Sequence, residues 1–316
     1  MPKLEGIEEK YWNGYKVDKE NEDTVYSDEK HVYIDKHDNS KFISVTTLIH
    51  NYTQEFDEEF WSSYKALEEL IDGDTFSILK RTLLQSRRFD TRLLKKFNID
   101  QTKFLEKQNA IKDEYKRKRE ESCVRGTNIH AAFENSFYNK KQFDFGKYGY
   151  KDLVGQFECR KDYYKLDLEN GVYPEFLISL TSRDGILKVA GQIDLLIKKG
   201  NDIYIIDWKS NTKIEKQSYY NRSTKKYQMM KFPLNNIMDS NYWHYTLQLS
   251  CYAYLLQQLN PDFNIKGLKI VHIDHDNKKH EYDVEYLKED VEKMFKHYKR
   301  QIKARLEYDK LKPVIV

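Results

Sequence analysis

The stretch GQIDLLIKKGNDIYIIDWKSN, Gly191 to Asn211, holds two apolar runs, each interrupted by an acid that a buried strand does not need. Ile203-Tyr204-Ile205-Ile206 leads straight into Asp207, Trp208 and Lys209, and Asp194 breaks the run before it. Charges beside buried apolar residues cost stability unless they are paired or used. Gly200-Asn201, between the runs, is a two-residue hairpin signal. Centring a turn there sets Asp194 opposite Asp207, and centring the preceding turn on Asp184-Gly185 sets Glu175 opposite Asp194. Glu175, Asp194 and Asp207 then form one row across three strands. Lys209 shares the face of Asp207, and Ile206 and Trp208 point to the other. Opposed side chains in a sheet have Cβ atoms ~4.5–5.5 Å apart, and like charges there repel. Lys209 neutralises only part of that charge. A divalent ion would neutralise more, and oxygen donors favour one or two Mg²⁺ or Mn²⁺ ions over a thiolate-loving metal. The same residues also fit a solvent-facing row with a single Asp–Lys ion pair, and a one-residue slip in register would scatter the row.

Composition narrows the classes. Charged residues make up 33% of the 316, yet the net charge is only +3, so any polyanion site must come from local clusters. Hydrophobic residues at 39% suffice for a packed core. Cys123, Cys159 and Cys251 lie far apart without a CxxC pair, which argues against structural zinc and a disulfide framework and fits a reducing, intracellular compartment. The N-terminus MPKLEGIEEKYWNGYK has no signal-peptide core, and no run approaches the ~18 apolar residues of a membrane span. Without GxxxxGK[ST] there is no sign of a nucleotide cofactor.

Along the chain, HVYIDKHDNSKFISVT (His31 to Thr46) predicts two short strands around an Asp-Asn-Ser turn. The pattern is helical from about Phe56 to Tyr138. VGQFECRKDYYKLDLEN (Val154 to Asn170) reads as a further helix, followed by three antiparallel strands, an amphipathic helix over Tyr242 to Leu259, two strands and a closing helix. This order predicts an α/β core behind a helical N-terminal region: residues 1–120 as β-hairpin and helices, 121–316 as the core.

Two other elements bear chemistry. RGTNIHAAFE (Arg125 to Glu134) puts Gly126, His130 and Glu134 on one helix face, where an imidazole aimed at the acid row would complete a mixed N/O site. A histidine on such a face is otherwise a packed or surface residue. Gln248 and Tyr252 share a face of YTLQLSCYAYLL. Between them in sequence, TKIEKQSYYNRSTKKYQMMK interleaves Lys213, Lys216, Arg222, Lys225 and Lys226 with Tyr219, Tyr220 and Tyr227. Cations for phosphates and rings for bases suit single-stranded nucleic acid, and an ordinary solvated loop has the same composition.

Taken in order, RGTNIHAAFE, PEF, GQID, DWK and LQLSCY resemble the PD-(D/E)xK nuclease superfamily in its RecB-like branch, which includes Cas4-type and mitochondrial-maintenance-type exonucleases. The resemblance covers roughly Ser122 to Leu259, and ISVTTLIHNYTQEFD (Ile43 to Asp57) resembles an N-terminal element of phage and large-virus members. It implies a restriction-endonuclease-like core, a mixed central sheet flanked by helices. It also implies metal binding by His130, Asp194 and Asp207, with the Trp208 carbonyl as a further ligand. Lys209 would orient or activate the attacking water, and Glu175 would hold the family's acidic strand position. Gln248 and Tyr252 would brace the site and the DNA backbone, and Arg125 would join the loop residues in holding DNA. Many relatives hold a 4Fe–4S cluster, but nothing after Cys251 could supply its later cysteines, so none is expected here.

The leading expectation is a Mg²⁺- or Mn²⁺-dependent DNA exonuclease acting on single strands or ends in replication, recombination or genome processing. An endonuclease on the same core and a catalytically dead nucleic-acid-binding module are the alternatives. Richness in Lys, Asn and Tyr suits an AT-rich genome such as that of a phage.

Overall fold

The structure, a computed structural model describing residues 19–27, 30–138, 143–150, 153–155, 158–160, 165–166, 168–222 and 224–311, closes the decisive hairpin at Gly200-Asn201, with Gly200 at φ +59. Strands β8 (Lys188–Lys199) and β9 (Asp202–Lys209) pair from Lys199–Asp202 to Leu195–Ile206, the register expected. Strand β7 (Gly171–Thr181) pairs with β8 from Gly171–Lys198 to Thr181–Lys188. The loop between β7 and β8 is wider than two residues. Ser182 N donates to Leu187 O at 2.8 Å and Gly185 takes φ +69. Its midpoint is still Asp184-Gly185, so the register is unchanged.

Among the described residues these three strands belong to a nine-stranded mixed sheet. Strands β1 (Lys19–Glu20), β2 (Thr24–Ser27), β3 (Val32–Asp35) and β4 (Lys41–Ser44) form an antiparallel set, and β4 joins β8 in parallel at Ile43–Val189 and Ser44–Ala190. On the far side β12 (Asn264–Ile273) pairs in parallel with β9 and antiparallel with β13 (Lys279–Asp283). Small strands β5 (Phe143–Asp144) and β6 (Val154–Gly155) pair apart from this sheet.

One face of the sheet packs Ile193, Leu196, Ile203, Ile205 and Ile270 against helices α1 (Val45–His50), α6 (Asn241–Leu259) and α7 (Lys288–Leu311). The other packs Leu195, Ile197, Ile206, Trp208 and Val271 against Ile129 and Phe137 of helix α5 (Gln101–Tyr138). Helix α6 is not the one-sided helix its pattern predicts. Leu247, Leu249, Cys251, Ala253, Leu255 and Leu256 are all fully buried, as a helix covered by other elements must be.

The helix expected over Val154–Asn170 is a correction. Residues 156–157, 161–164 and 167 lie outside the described residues, but Val154–Gly155 is a strand. Arg160 N and Val172 N bond to Val172 O and Glu158 O, at 2.9 Å each. Backbone groups taken by a sheet edge cannot also close helical turns.

The chain divides into two compact units. One holds the described residues of 1–54, 126–220 and 227–316, so the N-terminal strands group with the sheet. The other comprises 55–125 with 221–226. It contains helices α2 (Glu58–Leu70), α3 (Gly73–Ser86), α4 (Arg92–Lys96) and the first part of α5 around Phe60, Leu67, Phe76, Leu83 and Phe104. Asp57 and Asp72 cap α2 and α3 by accepting from Phe60 N and Thr75 N at 2.9 Å. The remaining strands are β10 (Tyr220–Asn221) and β11 (Lys226–Tyr227).

Candidate active site

Strand β7 covers one edge of β8 along most of its length, so β4 and β9 must share the other edge. They pair with different halves of it, at 189–190 and at 195–199. The sheet therefore forks beside residues 191–194, and such branch points leave strand ends free to hold a ligand. Asp194 sits in the fork. Leu195–Ile206 is the last pair of the β8–β9 ladder, and Asp194 and Asp207 come next as the strands part. Asp194 Oδ2 reaches across the opening to accept from Trp208 N at 2.7 Å.

Opposite Asp194 on the other edge, Glu175 stands at φ +49, a left-handed conformation rare in a strand. Pro174–Leu195 and Phe176–Ile193 still pair, so no residue is inserted. The pleat nevertheless changes phase. Tyr173, Phe176 and Ile178 lie in one apolar layer, and on β8 Ile193 and Leu196 share that layer while Leu195 lies in the other. Matched kinks on the two strands bring their carboxylates to His130 of α5. His130 Nδ1 is 3.6 Å from Glu175 Oε1 and from Asp194 Oδ1. Donor atoms of the three residues lie within 4.8 Å of one another. The other ring nitrogen, Nε2, is 3.1 Å from Trp208 O. A backbone carbonyl on one nitrogen fixes the ring for binding through the other, so Nδ1 is the nitrogen available to a cation.

Asp207 forms a second group. It is 1% exposed, accepts from Gln248 Nε2 at 3.2 Å through Oδ1, and has Lys209 Nζ 2.6 Å from Oδ2. That ion pair is the contact Oδ2 makes, and it accepts no further hydrogen bond among the described residues. Lys209 Nζ also lies 4.8 Å from the Tyr245 ring centre. Gln248 Nε2 reaches the Tyr252 hydroxyl at 3.2 Å, and a Cβ on Gly191 would lie 2.7 Å from Tyr252 Cε1. The glycine of GQID thus admits the tyrosine of the α6 pair. Gln248 and Tyr252, 7% and 3% exposed, face inward. Their hydrogen bonds run to Asp207 and to each other, the contacts of a bracing pair, with Gln248 as buried as Asp194.

Electrostatics tie the groups together. Burial alone would lower the His130 pKa, but the Asp194 and Glu175 carboxylates outweigh it and carry it up to about 9. Asp194 is pushed up chiefly by burial; His130 and Lys209 oppose this, and Asp207 and Glu175 add to it. Burial disfavours the Lys209 ammonium too, yet Asp207 and Asp194 hold its pKa above the ordinary lysine value. Three acids face two cations, an imbalance that a divalent ion would correct. Hard oxygens with one imidazole, and a buried carboxylate oxygen nearby that is met by a single ammonium, fit such an ion.

The expected row is therefore correctly registered but split: Glu175 and Asp194 meet His130, while Asp207 meets Lys209. Trp208 O faces the imidazole, and the Trp208 ring stacks on Phe133 with centroids 4.1 Å apart. In the loop, Tyr219, Tyr220, Arg222, Lys225 and Lys226 are exposed, Lys213 pairs with Glu215, and the Tyr220 and Tyr227 rings meet edge to face. Arg125 is half-buried on α5. Sequence reading missed Tyr245, although its spacing from Gln248 and Tyr252 puts it on their helix face. It also missed Tyr33 on β3, whose phenol is pushed up by burial and by the fields of Tyr26, Glu175 and Asp194. No local pattern marks Tyr33.

Comparison with known proteins adds the following. The model of the PD-(D/E)XK nuclease superfamily matches residues 47–312. No curated protein matches the chain. A solved structure described as "Crystal structure of SSO0001" aligns over 83% of this chain and 76% of its own, at 13% identity and a TM-score of 0.32. Among the described residues no helix is long and apolar enough to cross a membrane.

Proposed function

The chain belongs to the PD-(D/E)XK nuclease superfamily, whose members are metal-dependent nucleases, and from that premise we propose a deoxyribonuclease of the RecB-like, Cas4-like branch. In this reading it works as an exonuclease on single strands or DNA ends, in replication, recombination or genome processing, as in a phage. The observation that carries it is the His130–Glu175–Asp194 cluster beside the buried Asp207–Lys209 pair.

His130 through Nδ1, Glu175 and Asp194 would hold the ion, with Asp207 Oδ2 as a further oxygen donor. Mg²⁺ or Mn²⁺ there supplies the Lewis acidity that phosphodiester hydrolysis needs. The residues themselves do the rest. Lys209, whose ammonium its two acids favour, would orient a water or offset charge on the phosphoryl group. Gln248 and Tyr252 fix Asp207 from behind. Trp208, buried beside Phe133, anchors the strand and, through its carbonyl, the imidazole.

Digestion of end-labelled linear and covalently circular DNA, with and without Mg²⁺ or Mn²⁺, tests this. Degradation of linear substrate with circles intact is expected. Cutting of circles would make it an endonuclease, and binding without cleavage in Mn²⁺ would make it a dead module.

Proton competition gives a second check. Without metal the His130 imidazolium stabilises the fold below the ordinary histidine value of ~6.5, and that stability is lost as pH rises through about 9. An ion must displace this proton, so Mn²⁺ affinity should strengthen by up to about tenfold per pH unit across that window. His130→Ala should weaken the ion and flatten the slope, read by calorimetric titration. PH-independent affinity in the parent would remove His130 from the site.

Replacing Lys225, Lys226 and Tyr227 together should raise KM more than it lowers kcat, because uniform binding is lost. Each phosphate contact removed should also reduce the log–log salt slope by roughly 0.7 on a single strand. Unaltered KM and slope would leave the segment an ordinary surface loop.

A further inference from the structure

In the second compact unit the charges are segregated. Residues 55–74 are acidic with Lys65 their lone cation, whereas residues 80–96 hold Lys80, Arg81, Arg87, Arg88, Arg92, Lys95 and Lys96 against Asp90. Three of the four acids of α2 pair with α5: Glu58 faces Arg119, and Glu59 and Glu69 pair with Lys112 and Lys107. Arg117 and Lys118 find Glu121 and Glu114 within α5 itself. Arg92 takes Asp90, and the Arg87 guanidinium lies over the Trp61 ring at 4.8 Å. Lys80, Arg81, Arg88, Lys95 and Lys96 remain, all exposed and without an ion pair among the described residues. Helix dipoles favour cations in a last turn, which accounts for Lys95 and Lys96 but not for Lys80, Arg81 or Arg88. The segment that carries them is packed on the unit's apolar core. Phe89 of the α3–α4 connection stacks on Phe104 at 5.0 Å, and Leu83 and Leu94 are buried beside it. Residues 221–226, with the exposed cations Arg222, Lys225 and Lys226, belong to the same unit.

We propose that this basic α3–α4 ridge binds the phosphodiester backbone of nucleic acid. The inference rests on the nuclease reading for its ligand, yet it is read without metal or cleavage, so either can fail alone. Exposed cations without an ion pair among the described residues, clustered within residues 80–96 of a chain of net charge only +3, fit a polyanion. Bonds to bases are not implied, so binding is independent of sequence.

The test is fluorescence anisotropy of the full chain in EDTA with labelled single-stranded and duplex DNA across a salt series. It compares the parent with a variant carrying Lys80→Ala, Arg81→Ala, Arg88→Ala, Lys95→Ala and Lys96→Ala. Exposed substitutions of this kind should leave the melting temperature unchanged. The variant should bind at least about tenfold more weakly at low salt, with the slope lower by roughly 0.9 per lost contact on duplex or 0.7 on single strand. The arm with the larger loss identifies the form of nucleic acid gripped. Equal affinity and slope for both proteins in both arms would overturn the proposal. So would unchanged DNA binding with lost binding to anionic phospholipid vesicles, which would assign the ridge to a membrane.

Discussion

Asp194→Asn should abolish cleavage while leaving the metal-free protein as stable as the parent or more so. Loss of activity should reach at least the roughly 10²–10³-fold that removing one charge-stabilising group costs elsewhere, because Asp194 lies in the group meant to hold the ion and opposite the second acid. Stability should not suffer, since an asparagine Oδ1 can still accept from Trp208 N where Asp194 Oδ2 does now. The sign follows from the raised pKa of Asp194, whose causes are burial first and then Asp207 and Glu175 against His130 and Lys209. A carboxyl whose folded pKa exceeds its unfolded one costs stability once ionised. The gain from Asp194→Asn should therefore grow with rising pH and vanish in acid. Saturating Mn²⁺ should raise the melting temperature of the parent, with about 2.7 kcal/mol gained at a hundred times Kd. The variant should respond far less. Equal thermal responses in both proteins would remove Asp194 from the ion's coordination.

Lys209→Ala should carry the largest stability loss of any single change near the site. It strands Asp207, a carboxylate 1% exposed whose Oδ2 has no other cation in contact among the described residues. Breaking a buried pair from one side costs about 3–5 kcal/mol, since an uncompensated charge stays behind. The accompanying Asp207→Asn change should restore much of that stability, because the buried charge is gone, yet activity should remain lost. Urea melts of the single and double variants, with turnover on linear DNA, form the cycle. A Lys209→Ala protein as stable as the parent would mean that the pair is solvated, and full turnover by either variant would remove Lys209 from the chemistry.

Much of this site was legible because a hairpin's register is set by its turn. Gly200-Asn201 and the midpoint Asp184-Gly185 fix which residues face each other, and side-chain alternation follows with period two. The separation of Trp208 from Asp207 and Lys209, and the shared face of Gln248 and Tyr252, follow from such local periodicities, whereas the place of α6 beside the acids came from the family resemblance. Other features had no local cause to be read. The left-handed Glu175 and the change of pleat opposite it bring carboxylates to His130, which lies 45 residues earlier on a different element. The same kink divides the acids into a cluster that can hold a cation and a pair that holds Lys209. Strand pairing at 158–160 prevailed over a helical pattern because β7 offered backbone partners that sequence does not display. Likewise Tyr33 reaches the site only because β4 docks on the edge that β9 leaves free. By itself the sequence determined the strands of the two central hairpins, their turns and the list of charged residues at their ends. Which of those charges meet was decided by the tertiary structure, because Coulomb energy depends on distances that long-range packing sets.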